Sequence, residues 1–383
     1  MNKTAYIITY RFFDFERNAI RIGGIETYTF DLALLLKDLK YDVCVYTLLK
    51  NGELRHGDFN GIKIVEIDAS KGNNTTFRSL YDKKPEALYI IMTDGMRIKS
   101  RGKQNVVTIQ HGVSWDFPRW AMNKVFQKYD FAYRVRKMQI CNQQVKLFLE
   151  ATNYVCVDYN YYNWLRTFYD ISSNRIVTVI PNYAQAISKE ELELKVNAKH
   201  DMSKAKIVFA RRMTRYRGAL LFASVAKRLL QNYPGISVTF AGDGELTTAV
   251  QEQFANCPNV TFTTYQPYES IEFHKQYDIA VVPTIYSEGT SLSLCEAMAA
   301  GCMPVATHVG GMTNMILDGY NGFLCYPSED AIYNKLKTVL DMDGAEYRRI
   351  LRNSYETAIT AFSKTLWKRR WCELIKNISD KYV

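Results

Sequence analysis

Short runs of β-branched and aromatic residues recur along the chain, and between many of them apolar positions reappear at helical spacing. Runs of this kind stand at 6–9, 43–46, 62–67, 88–92, 106–109, 154–157 and 177–180. A second series stands at 207–209, 238–240, 260–262, 279–282, 304–306 and 323–324. Each run is too short for a helix and rich in strand-forming residues, so each reads as a strand. Amphipathic stretches at 25–39, 219–233, 292–300 and 331–340 read as helices. In the third of these, Leu294, Ala297 and Met298 fall at i, i+3 and i+4, and Gly301 stands where a C-terminal cap is expected. Alternating strands and helices argue for parallel sheets covered on both faces. Two such series predict an α/β chain with two Rossmann-like domains.

The join between the series is legible. The stretch "IPNYAQAISKEELELKVNAKHDMSK" (180–204) opens on a Pro-Asn turn, loses its β character and becomes charged. This places an N-terminal domain at 1–182 and a C-terminal one at 183–362. The last segment, 363–383, contains "TLWKRRWCELIKNI", a basic helix with two tryptophans that is expected to pack back on the N-terminal domain. A length of 383 residues agrees with two cores instead of one.

Composition adds constraints. The chain is 47% hydrophobic and 23% charged, as in soluble globular proteins. No window approaches the run of about 18 apolar residues that a membrane-spanning helix needs. The opening "MNKTAYIITY" lacks the apolar length and cleavage site of a signal peptide, so a cytoplasmic location is expected. Eight cysteines are scattered without a CxxC pair, and five histidines are equally dispersed. They read as reduced core thiols, with no metal site. The net charge of +10 is uneven: residues 1–180 carry 26 Lys and Arg against 18 Asp and Glu. The first half is therefore expected to meet something acidic or an anionic surface, a solvated basic face being the plainer alternative.

In open α/β sheets, ligands bind in the loops beyond the carboxyl ends of strands. Four segments hold that position. "IRIGGIETY" puts Gly23 and Gly24 before a helix, where a ligand can approach the backbone. "VVTIQHG" ends a strand with His111, either a turn residue or a ligand contact. "VFARRMTRYRG" ends another with Arg211, Arg212, Arg215 and Arg217, a set suited to binding phosphate. "EGTSLSLCEAMAAG" (288–301) offers the N–H groups of Gly289, Thr290 and Ser291 at a helix start, together with Glu288 and Glu296. An amphipathic helix accounts for the alanines and Gly301 but not for Glu296, whose sequence neighbours cannot pair with a charge. Arginines and a helix N-terminus suit a diphosphate. Carboxylates would be repelled by it and must accept from hydroxyls. A nucleotide sugar has both.

With those segments in order, the chain resembles the large family of retaining GT-B glycosyltransferases (group 1, family 4-like) that carries an E-x7-E motif. The marks are "GGIETYTFDLALLL", "QHG", "VIPN", "ARRMTRYRG", "FAGDGE", "VVPTIYSEGTSLSLCEAMAAGCMPVATHVGG" and "DGYNGFL". The resemblance implies two Rossmann-like domains facing across a cleft. It implies that Glu288 contacts hydroxyls of the donor sugar and that Glu296 holds the ribose. It assigns the phosphates to Arg212 and to Arg217, which stands where the family usually has lysine. It sets His111 over the sugar and Gly24 near the diphosphate, and lets Gly289, Thr290 and Ser291 serve through their amides.

The expected reaction is retaining hexosyl transfer from a nucleoside-diphosphate sugar, without a cofactor or metal, to a saccharide or lipid-linked saccharide. The setting implied is bacterial surface polysaccharide, lipopolysaccharide O-antigen or capsule. The stretch 114–139 interleaves six Lys and Arg with Trp115, Trp120, Phe126, Phe131 and Tyr133. It is either a helix with an aromatic core face or a peripheral contact with an anionic bilayer. Competing readings are a nucleotide-sugar 2-epimerase of the same fold and an inactive nucleotide-sugar-binding protein. No RNA-binding motif accompanies the positive charge, so nucleic acid is not expected.

Overall fold

The strand runs carry so many Val, Ile and aromatic residues because both faces of each sheet are covered. In the computed structural model, residues 3–21, 23–113, 115–116, 118–170, 176–198, 201–286 and 288–380 are described. The ends of the N-terminal domain and of the last helix (1–2, 381–383), residues 114 and 117 of the basic aromatic stretch and 199–200 of the join lie outside them.

The first sheet has eight strands: β1 (Lys3–Thr9), β2 (Tyr41–Leu49), β3 (His56–Phe59), β4 (Ile62–Asp68), β5 (Leu88–Ile91), β6 (Val106–Gln110), β7 (Asn153–Cys156) and β8 (Ile176–Val179). Their order is β8-β7-β6-β5-β1-β2-β4-β3, parallel except for β3. The second sheet has six parallel strands: β9 (Lys206–Ala210), β10 (Ser237–Ala241), β11 (Val260–Thr263), β12 (Ile279–Val282), β13 (Met303–Thr307) and β14 (Phe323–Cys325). Their order, β11-β10-β9-β12-β13-β14, is that of a doubly wound dinucleotide-type sheet. Each series reverses direction beside its first strand, which opens a crevice there.

Every strand expected from the sequence is present. The edge strand β3 and a small hairpin, Phe13–Asp14 with Ala19–Ile20, were not expected, because "HGDF" and "FD" carry no apolar alternation. Helix α1 (Gly24–Asp38) buries Leu32, Leu35 and Leu36 against the first sheet. Helices α2 (Asp130–Leu149), α3 (Tyr159–Phe168), α4 (Leu292–Ala299), α5 (Gly344–Ala361) and α6 (Lys364–Asp380) follow. Gly301 takes φ +66° just beyond α4, a backbone conformation that costs glycine little. Asp343, second carboxylate of the one Asp-x-Asp string, caps α5 by accepting from Ala345 and Glu346.

Helix α6 lies on the first sheet's side of the molecule. Trp367, Trp371, Leu374 and Ile378 join the same core as Ile7, Leu32 and Val45. The Trp371 indole N–H donates to the Tyr28 hydroxyl at 2.8 Å, so the polar edge of a fully buried ring is satisfied. Lys364 anchors the helix start on Asp31 at 2.7 Å.

Candidate functional site

The central strands of both sheets end at one cleft of about 280 Å³. The loop before α1 supplies Gly23 and Gly24, and β6 supplies His111. The loop after β9 supplies Arg211, Arg212 and Arg217. Beyond β12 come Glu288, Gly289, Thr290, Ser291 and, on α4, Glu296. All nine site residues named from the sequence line this cleft: Gly24, His111, Arg212, Arg217, Glu288, Gly289, Thr290, Ser291 and Glu296.

Glycines let the walls meet. Gly112 has φ +115°, and a Cβ there would lie 2.7 Å from the Gly289 nitrogen. A Cβ on Gly311 would lie 2.6 Å from the Gly289 carbonyl carbon. The 288–290 loop is thus gripped between "QHG" of one sheet and "VGG" of the other. Side chains fasten it further: the Thr290 hydroxyl donates to the Val157 carbonyl, and the Asn182 amide donates to the Thr290 carbonyl. Thr290 therefore spends its side chain on the fold and leaves its backbone to the cleft.

The two glutamates sit in opposite surroundings. Glu288 is buried and accepts through Oε2 from Arg211 (2.7 Å), from Thr284 (2.9 Å) and from Arg217. Burial by itself would raise its carboxyl, but the Arg217 and Arg211 guanidiniums outweigh it and hold the group at about 2. Glu296 lines the cleft from within α4. Burial pushes it up to about 7, opposed by the Ser270 hydroxyl and, more weakly, by Arg211. His111 places Nε2 2.7 Å from the Met92 carbonyl, which can only accept, so Nε2 carries the proton. Burial lowers the imidazole to about 4. The ring is neutral at pH 7, with Nδ1 as its acceptor.

The four arginines of the β9 loop part company. Arg211 points inward, Arg217 is mostly buried on Glu288, and Arg212 is exposed at the cleft. Arg215 leaves the cleft altogether and lies 4.3 Å from the ring centroid of Trp120, which also packs edge-on to Tyr286 at 6.3 Å. Trp120 comes from the basic aromatic stretch, so that stretch touches the second sheet's loops at the cleft rim. The resemblance assigns Arg217 to phosphate; in the fold its Nη1 also holds the Glu288 carboxylate.

One residue of the cleft, Arg211, and one beside it, Glu26, were given no individual role by the resemblance. Arg211 was one among four equal-looking arginines. Glu26 lies in the first turn of α1, where a Cβ on Gly23 would be 2.1 Å from its Oε2. Burial raises its carboxyl, and Arg212 is the leading cation opposing that shift. The "GGIE" spacing, which puts a carboxylate at the third helical residue, was the available signal. Among the described residues no cluster of three or more His, Cys, Asp or Glu could hold a metal ion.

Comparison with known proteins bears on the fold that holds this cleft. Residues 190–357 match the family described as glycosyl transferases group 1. The whole chain superposes on sucrose-phosphate synthase from Thermosynechococcus elongatus, with a TM-score of 0.72 at 14% identity, covering 99% of this chain and 100% of that one. It superposes likewise on Anabaena Alr3699/HepE, solved with UDP and glucose, at a TM-score of 0.69 and 14% identity, covering 98% and 99%. The chain has the GT-B fold. In the GT-B frame, the group 1 match spans the second sheet, the four arginines of the β9 loop, Glu288 and Glu296, but not Gly24, Glu26 or His111. Among sequence relatives, the lipopolysaccharide 1,2-N-acetylglucosaminetransferase of Salmonella typhimurium is 26% identical over 228 residues, 54% of this chain and 58% of that protein. A D-inositol 3-phosphate glycosyltransferase of Paenarthrobacter aurescens is 30% identical over 152 residues, 36% and 37%. The chain spans less than two-thirds of the length of these sequence relatives.

Proposed function

We propose that this chain is a retaining glycosyltransferase that moves a hexose from a nucleoside-diphosphate sugar to a saccharide or lipid-linked saccharide. The observation that carries the reading is one cleft lined by a fixed carboxylate, Glu288, a second carboxyl, Glu296, and three arginines. Ribose hydroxyls meet Glu296, sugar hydroxyls meet Glu288, and the diphosphate lies between them. In the reaction the bond from the anomeric carbon to the phosphate oxygen breaks, and its electron pair goes to the diphosphate. Arg212, Arg217 and the N–H groups of Gly289, Thr290 and Ser291 stabilise that charge. The acceptor oxygen attacks the same face of the sugar, and its proton passes to a diphosphate oxygen. Glu288 orients the sugar and His111, neutral, accepts from it. Gly24 keeps the α1 end open to the diphosphate.

No cation is needed where arginines and amides take its place, so turnover should persist in excess EDTA. A strict Mg²⁺ or Mn²⁺ requirement would contradict this. The Salmonella relative's name supports a role in surface polysaccharide, and the UDP in the Anabaena structures makes UDP-sugars the first donors to try. The direct test is a thermal-shift screen of UDP-, GDP- and dTDP-sugars, followed by NMR of the product anomer. An inverted product overturns the retaining mechanism, and epimer formed without acceptor favours a 2-epimerase.

The acceptor side is proposed to work at an anionic membrane surface on the cytoplasmic side. No helix among the described residues is long and apolar enough to cross a membrane. The first half of helix α2 is exposed on one side: Phe131 (80% exposed), Val135 and Met138 follow one another at i, i+4 and i+7, beside exposed Lys124, Lys128 and Arg134. The aromatic face is therefore not a core face, although Trp115 of the same stretch is buried. Co-sedimentation with vesicles should rise with anionic lipid and fall with salt. Unchanged sedimentation after neutralising Lys124, Lys128, Arg134 and Arg136 would reduce α2 to an ordinary surface helix.

A further inference from the structure

Two buried guanidiniums converge on Glu288. Arg211 and Arg217 both bond the same carboxylate oxygen, so two guanidiniums, which stay protonated at any physiological pH, share one negative charge. Glu296, the other carboxyl near Arg211, sits where burial disfavours its ionised form. Asp158 is a second buried carboxylate coupled to Glu288, so what the site lacks is a hydrogen-bond acceptor, and an anionic one suits a guanidinium. The hydrogen bonds point to where that acceptor belongs. Arg211 is only 7% exposed; its Nη2 donates to Glu288 and its Nη1 to Thr284. Its Nε is buried and has no partner, although the side chain lines the cleft. A guanidinium with both Nη groups held is fixed in plane, so the remaining donor has a set direction.

We propose that Arg211 is a ligand-binding residue whose Nε–H donates to an anionic oxygen of a bound nucleoside diphosphate, which gives its one unpartnered donor an acceptor. This deepens the glycosyl-transfer reading and rests on it. Arg211 lines the same cleft as the two glutamates and is in electrostatic reach of both. The same guanidinium would then join the leaving group to Glu288, coupling the diphosphate's position to that of the sugar-facing carboxylate.

The alternative is that Arg211 only positions Glu288, and calorimetric titration with UDP, GDP and dTDP, each beside its nucleoside, tells the two apart. Arg211→Lys keeps the charge but loses the fork, and should weaken the preferred diphosphate about tenfold; Arg211→Gln should weaken it by on the order of 10²-fold. Nucleoside affinity should stay unchanged in both. Should both variants bind the diphosphate like wild type while transfer slows, Arg211 is a positioning residue and the proposal falls. A wild type that binds none of the three diphosphates sinks the glycosyl-transfer reading itself. A measurement independent of folding variants is the ¹⁵Nε–¹H resonance of Arg211 in arginine-labelled wild type. It should move on titration with the diphosphate, and a resonance that stays in place overturns the proposal.

Discussion

Glu288 and Glu296 are the same residue type in one cleft, eight positions apart, yet the protein treats them in opposite ways. Glu288 is clamped by Arg211, Arg217 and Thr284 and held at about 2. Glu296 has a hydroxyl neighbour and only a weak pull from Arg211, and burial lifts it to about 7. A group that must carry a fixed charge is given partners; a group that must exchange hydrogen bonds with a ligand is left under-partnered. The contrast teaches that the pair is not redundant. The clamped one suits a transition state, the loose one suits a ground-state contact.

The largest expected effect breaks the clamp. Glu288→Gln keeps the side chain's size but leaves two guanidiniums facing a neutral amide. It should lower kcat by on the order of 10²-fold or more, the scale of losing a transition-state contact. KM for the donor should change little. Steady-state kinetics decides it, and a variant altered only in KM would exchange the two assignments.

Glu296→Gln should instead raise KM for the donor about tenfold with kcat retained, because ribose hydroxyls are held equally before and during the reaction. Hydroxyls donate best to the ionised carboxylate. Wild-type donor affinity should therefore rise with pH through about 7, and the Gln variant should lose that dependence. A pH-flat wild type would mean that Glu296 does not touch the ribose.

How much of this contrast was legible beforehand depends on distance along the chain. The strands were legible because Val and Ile runs such as 279–282 leave a doubly covered sheet few alternatives. The two glutamates were legible as candidates because nothing near Glu296 in sequence could pair with it. Their opposite electrostatics were not, since the partners of Glu288 lie 77 and 71 residues away. The run "ARRMTRYRG" likewise presents four arginines alike. Only the turn after β9 sends Arg211 inward, Arg217 onto Glu288, Arg212 to the exposed side of the cleft and Arg215 over Trp120. Helix α2 was ambiguous for the reverse reason: its first half turns Phe131, Val135 and Met138 outward, while Ile140, Val145 and Phe148 of its second half pack inward.

Stability should register the pair with opposite signs. The ordinary carboxyl value is 4.5 for both. Between 4.5 and about 7 the native state holds a proton on Glu296 that the unfolded chain has released, so stability falls as pH rises across that window. Glu288 behaves inversely: its contribution is present above 4.5 and is lost as pH falls toward 2. Melting curves should show Glu296→Gln flattening the fall toward neutral pH by a few degrees. Glu288→Gln should flatten only the acid limb. The same slope change in both variants would dissolve the contrast.

The smallest effect is expected from the exposed member of the arginine run, and it tests whether burial is what separates the site's charges. Arg212 lies open to solvent on the cleft wall, with no salt-bridge partner shown among the described residues. A cation so placed meets the diphosphate in a high dielectric, and mobile salt competes for it. Arg212→Ala should weaken nucleoside diphosphate binding by only about 0.2–1 kcal/mol, the range of exposed ion pairs, and the difference should fade as ionic strength rises. Arg211 variants, whose charge is walled off from salt, should keep their larger loss at high salt. Calorimetry of both at low and high salt measures the contrast directly. If Arg212→Ala loses as much as Arg211→Gln and the loss resists salt, then the bound ligand seals Arg212 inside the cleft. Burial in the empty protein would then be a poor guide to which arginine carries the diphosphate.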